Sequence, residues 1–190
     1  MAKLTCISPI DDSVFAERET QSAQDVVALM DKARVAQKDW AGRAIADRAG
    51  IVGKAIAALD AMNAEVVPEL ARQMGRPVRY GGEIRGVKER ASYMASIAEE
   101  ALSPLEIENS DTARRYIARE PVGVVLTIAP WNYPYMTAIN SIVPALIAGN
   151  AVAFKGATQT LLVGERLARA FAQAGLPDGL FTNLFLDHDT

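Results

Sequence analysis

Reactive side chains are scarce in this chain. Its 190 residues include one cysteine, Cys6, and one histidine, His188. A lone thiol closes no internal disulfide, which suits a reducing compartment. One Cys and one His cannot supply the several ligands of a structural zinc site. An excess of positive charge is also missing: 20 Lys and Arg face 23 Asp and Glu, for a net charge of -3. No electrostatic footprint for nucleic acid results. No window of ~18 residues is apolar without a charge or proline, so nothing is predicted to span a membrane. The N-terminus has no signal-type apolar core before Asp11 and Asp12. No two of the 13 glycines are separated by a single residue. The G-x-G-x-x-G turn is therefore absent, and so is a G-x-x-x-x-G-K-[ST] loop. The standard nucleotide turns are excluded, though not a nucleotide held in another way. The expectation is a cytoplasmic protein with neither a nucleic-acid nor a membrane partner.

What is present is a globular composition, 50% apolar and 23% charged. A chain of this length hides roughly 70% of its unfolded surface, enough for one or two domains with a sizeable core. The first hundred residues read as helices. Val26, Met30, Ala33, Ala36 and Trp40 recur at helical spacing, and so do Ile45, Ala49, Val52, Ile56 and Leu59. A third helix is predicted from a cap at Asn63, with Pro68 near its start and Gly75 and Pro77 ending it. A fourth carries Ile84, Val87, Ala91, Met94, Ala98 and Ala101 on one stripe. Glu83, Glu99 and Glu100 are expected on its solvated face.

After Ser103-Pro104 the period changes. Runs at 105–107 and 114–118 flank a polar turn and predict a hairpin, with Arg114 and Arg115 pairing Glu106 and Glu108 as solvated cross-strand charges. From Val122 to Ala129 the run is nearly continuous and β-branched, as for a strand buried on both faces. A helix at 134–148, a strand at 151–154, a helix at 160–174 and a strand at 180–186 follow. This order predicts a parallel β-α-β-α-β sheet. The fold class is therefore α/β: a helical N-terminal segment, a small β-hairpin, then the first βαβαβ part of a Rossmann-like sheet. The corresponding boundaries are 1–104, 105–120 and 121–190.

Ligands of open parallel sheets bind beyond the carboxyl ends of the strands. Here those ends are Pro130–Pro134, Lys155–Thr160 and Asp187–Thr190. Trp131 could instead plug the sheet, Asn132 could cap the next helix, and Lys155 could be a solvated lysine. His188, near the terminus, is expected to be solvated.

Several linked motifs then resemble one family. Arg119-Glu120-Pro121-Val122-Gly123, Pro130-Trp131-Asn132-Tyr133-Pro134 and the stretch from Pro144 through Gly149-Asn150 to Lys155 are similar to the NAD(P)-dependent aldehyde dehydrogenases. Gln159-Thr160 and Ala174-Gly175-Leu176-Pro177-Asp178-Gly179 continue the match in order, and Thr20–Ala23 and Met74-Gly75-Arg76-Pro77 extend it weakly. The resemblance implies oxidation of a small aldehyde to an acid with NAD or NADP, in a homo-oligomer (dimer or tetramer). It implies that the Asn132 amide stabilises the oxyanion of the thiohemiacetal. It also implies that Ile128, Ala129, Pro130 and Trp131 lie along the cofactor, and that Lys155 binds its adenosine ribose. Thr158 stands where many NAD-preferring members carry Glu, so tolerance of NADP is expected.

The family's nucleophilic Cys and general-base Glu lie downstream of these residues, and Cys6 matches neither position. The resemblance therefore implies the N-terminal portion of a subunit, inactive by itself. A non-catalytic nucleotide-binding module and an oligomerisation or interaction element remain the alternatives.

Overall fold

The computed structural model describes residues 2–187. His188, expected to be solvated, and the segment Asp189-Thr190 at the predicted third strand end lie outside the described residues. The first element corrects the all-helical reading of the N-terminal hundred residues. β1 (Lys3–Ile7) and β2 (Val14–Glu19) form an antiparallel hairpin. Asp11 builds its turn by accepting from the Ser13 hydroxyl at 2.7 Å, and Asp12 takes a left-handed φ of 55°. The strands are short and half exposed, so their alternation is a weak pattern in the sequence.

α1 (Ala23–Ala41) starts at a capping box. The Ser22 hydroxyl accepts the Asp25 N–H at 3.2 Å, and Asp25 accepts the Ser22 N–H at 2.8 Å. α2 (Ile45–Ala61) and α3 (Asn63–Met74) meet at Met62, so Asn63 is the first helical residue and not a cap. Gly75 closes α3 at φ 75°, a left-handed conformation that glycine adopts without penalty. The predicted fourth helix is broken at Ile97 into α4 (Ile84–Ser96) and α5 (Ala98–Leu102). β3 (Leu105–Asn109) and β4 (Arg114–Ile117) form the expected hairpin. Arg114 donates to Glu106 at 2.8 Å and Arg115 to Glu108 at 2.6 Å, all four exposed or nearly so.

β5 (Val124–Ile128), α6 (Pro134–Ile147), β6 (Ala151–Lys155), α7 (Val163–Gln173) and β7 (Phe181–Leu184) complete the chain as a parallel sheet of order β5-β6-β7. β6 is central, and Ala151–Phe154 are all buried. β5 departs from the expected burial on both faces: Leu126 is 58% and Ile128 67% exposed. It is an edge strand, paired on one side only. Its opposite face packs on α6, where the buried Thr127 hydroxyl lies 2.8 Å from that of Ser141. α2 and α4 pack in turn against α6, and α1 touches all three strands.

The two ends of α6 are satisfied by side chains from the N-terminal helices. At its carboxyl end Trp40 donates to the Leu146 carbonyl at 2.8 Å and buried Arg48 to that of Ile147 at 2.7 Å. Gln37 donates to Gly149 just beyond, at 2.8 Å. The Arg48 bond answers a carbonyl that the helix end leaves unpaired, its cation suits the helix dipole, and the Leu146 carbonyl takes Trp40 beside the Gly149 N–H. Asn150 joins the same corner, accepting from the Gly123 N–H at 3.0 Å and donating to Ala145.

Candidate functional site

The parallel register brings the ends of β5 and β6 side by side. Ile128 pairs with Lys155, and the Ala129 N–H donates to the Lys155 carbonyl at 3.2 Å. Of the candidate cofactor residues, Ile128, Pro130 and Trp131 are exposed on this edge. Trp131 is 52% exposed, so it does not plug the sheet. Ala129 is buried, which leaves only its backbone available. Lys155 is half-buried, with no side-chain hydrogen bond or ion pair among the described residues. Thr158, also half-buried, opens a single 3-10 turn at Thr158–Thr160.

The loop after β6 is pinned by a partly buried polar knot. Gln159 donates its amide to the Ile7 carbonyl at 3.2 Å and to the Gln73 carbonyl. The Cys6 thiol donates to the Gln159 carbonyl at 3.2 Å, and the Gln73 side-chain oxygen accepts the Leu162 N–H at 2.8 Å. Gln159 of the Gln159-Thr160 motif therefore works as a strut between β1, α3 and this loop. Cys6 has no exposed surface, and burial pushes its thiol pKa up. A thiol held protonated and away from solvent is a poor nucleophile.

The loop after β5 is held differently. Asn132 and Tyr133 are exposed. Asn132 accepts the Tyr133 N–H through Oδ1 at 3.1 Å, and its Nδ2 has no acceptor among the described residues. Asn132 does not cap α6. The N-cap residue is Tyr133, which makes no side-chain cap bond. The cap comes from Glu83, whose Oε2 accepts the Met136 N–H at 2.7 Å across 53 residues of sequence. This overturns the expectation that Glu83 is solvated, because its side chain is 1% exposed. Arg76 Nη2 lies 3.1 Å from Glu83 Oε1 and donates to the Asn132 carbonyl at 3.0 Å. Its guanidinium also sits over the Tyr133 ring, 5.0 Å from the centroid. Burial raises the Glu83 pKa, while the bond from Met136 and the charge of Arg76 oppose that rise.

A cleft of about 550 Å³ opens beside this pair, lined by Met74, Arg76, Tyr80, Glu83, Tyr133 and Met136 among others. Reading α4 from its apolar stripe alone misses Glu83. The signal was present: Glu83 stands four residues before Val87 and eight before Ala91, on the buried stripe itself.

Known proteins share this fold along the chain. Residues 2–189 match the family model described as the aldehyde dehydrogenase family. A curated relative, vanillin dehydrogenase of Corynebacterium glutamicum, is 35% identical over 188 residues, covering 95% of this chain and 38% of the relative. A solved NAD-dependent benzaldehyde dehydrogenase from Corynebacterium glutamicum superposes with a TM-score of 0.88 at 32% identity, over 99% of this chain and 41% of that one. An NADP-dependent glyceraldehyde-3-phosphate dehydrogenase from Bacillus halodurans gives 0.90 at 26% identity, over 100% and 41%. The chain thus spans about two fifths of the length of these relatives. With the family model matched over residues 2–189 and a curated relative 35% identical over 188 residues, the chain belongs to the aldehyde dehydrogenase family.

Proposed function

We propose that these residues form the dinucleotide-holding part of an NAD- or NADP-dependent aldehyde dehydrogenase subunit, and that Asn132 donates to the oxyanion formed from the aldehyde. The observation that carries this reading is the Asn132 Nδ2 group, exposed and unpartnered among the described residues, on the loop that leaves β5 beside Lys155. A neutral donor aimed at developing negative charge is worth a factor of ~10²–10³ in rate.

The sheet edge suits a dinucleotide. Ile128 and Trp131 offer bare apolar surface, and Lys155 offers a cation with no side-chain partner among the described residues. A charge-assisted bond from Lys155 to a ribose hydroxyl contributes ~1.5–3 kcal/mol. Thr158 carries no carboxylate to repel a 2'-phosphate, so NADP is accepted as well as NAD. The bound dinucleotide supplies the hydride acceptor, and the protein supplies orientation and the oxyanion donor. The relatives named for vanillin and benzaldehyde, together with Tyr80 and Tyr133 along the cleft, make aromatic aldehydes the first substrate class to test. Cys6, the one thiol among the 190 residues, is buried, so these residues alone do not turn over aldehyde. The exposed β3–β4 hairpin, within 105–120, is the assembly element of a homo-oligomer in this reading.

Calorimetric titration of NAD and NADP into the full-length protein tests the cofactor roles. The expected result is comparable binding of both, weakened about tenfold by Lys155→Ala, the equivalent of ~1.4 kcal/mol. Unchanged affinity in that variant would remove Lys155 from the ribose. NAD binding far more tightly than NADP would remove the role given to Thr158.

A further inference from the structure

We infer that Arg76 and Glu83 are positioning residues for Asn132: Glu83 caps α6 in its place, and Arg76 holds its backbone, so that the Asn132 amide stays turned outward. The inference rests on the reading of Asn132 as an oxyanion donor. The start of α6 has unpaired N–H groups that need an acceptor. Pro134 has no N–H, which leaves Tyr135 and Met136 as the first donors. Asparagine is among the best capping residues, and Asn132 stands immediately before the N-cap position. In the absence of a competitor its Oδ1 would turn to those donors and carry Nδ2 away from the ligand.

Glu83 is that competitor. A carboxylate bonds more strongly than an amide oxygen and suits the positive end of the helix dipole. Its 2.7 Å bond to the Met136 N–H satisfies the helix from the start of α4. Arg76 makes the arrangement tolerable by pairing with a carboxylate that is otherwise enclosed. The same guanidinium bonds the Asn132 carbonyl and covers the Tyr133 ring, which holds the chain immediately after the asparagine side chain. Two residues outside the Pro130–Pro134 motif thus keep its asparagine off the start of α6, where Oδ1 accepts only the Tyr133 N–H.

The test uses the full-length enzyme and the variants Glu83→Ala, Glu83→Gln, Asn132→Ala and the double variant. Glu83→Ala is expected to lower kcat on the order of 10- to 100-fold, with KM for the dinucleotide within about twofold. Glu83→Gln retains an oxygen that accepts the Met136 N–H and should recover most of the rate. The double variant should be no slower than Asn132→Ala, because residues acting as one unit are not additive. A crystal structure of Glu83→Ala should show Asn132 Oδ1 bonded at the start of α6. If Glu83→Ala does not fold, the structure and kcat of Arg76→Met decide the same point through the loosened Asn132 carbonyl. An Asn132 side chain unmoved in these structures overturns the inference, whatever its part in catalysis. If instead the side chain turns inward while Asn132→Ala keeps its kcat, the clamp stands and the proposed oxyanion role fails.

Discussion

The loops that leave β5 and β6 share one edge of one sheet, yet they are anchored in opposite ways. After β6 the chain is held through side chains: Gln159 reaches the carbonyls of Ile7 and Gln73, Gln73 reaches the Leu162 N–H, and the Cys6 thiol closes the knot. After β5 the backbone is held instead, by Arg76 at the Asn132 carbonyl and by Glu83 at the start of α6, while Asn132 Oδ1 accepts only its neighbour's N–H and Nδ2 has no acceptor among the described residues. In the first loop the motif glutamine is used up by the fold. In the second, the motif asparagine is spared by two residues that no motif of the sheet region contains. A site side chain is available only if something else does its structural work, and here that something is visible.

The contrast can be broken at either loop. Cys6 tests the pinned side most strongly. Its alkylation by iodoacetamide, followed by peptide mass spectrometry, should be on the order of 100-fold slower in the native protein than in the denatured one, since labelling waits for local opening. Labelling at the denatured rate would mean that the knot is loose. Gln73→Ala removes an acceptor from the Leu162 N–H and should cost ~1–3 kcal/mol in urea denaturation. Trp131→Ala, on the spared loop, should change stability by less than ~0.5 kcal/mol. Thr158→Glu should shift preference from NADP toward NAD by about tenfold, near ~1.4 kcal/mol, through repulsion of the 2'-phosphate. Arg114→Ala on the exposed hairpin marks the small end, below ~0.5 kcal/mol in the same denaturation measurement.

Much of this arrangement was legible in the sequence because it is local. Gly75 and Pro77 after Met74 are stop signals carried by neighbouring residues. The parallel sheet followed from apolar runs alternating with helical spacing, and from it came the shared edge at the carboxyl ends of β5 and β6. What was not legible depends on partners far away along the chain. Glu83 reads as one more acid on a charged helix until Met136 and Arg76 are brought to it. Arg48 and Trp40 fall within ordinary amphipathic helices, and nothing local says that they end α6. The β1–β2 hairpin escaped because its alternating run is short and half polar. Nor does the β-branched run of β5 show that Leu126 and Ile128 lie bare, which depends on the neighbours packed beside the strand.

The central claim is that the Asn132 side chain is reserved for chemistry and contributes nothing essential to the fold. The direct measurement is kcat of full-length Asn132→Ala with an aromatic aldehyde, taken together with its melting temperature and its affinity for the dinucleotide. The account predicts a loss of ~10²–10³ in kcat, with melting and affinity unchanged. A variant that keeps its kcat within about threefold, or one that loses stability in step with its rate, would contradict it.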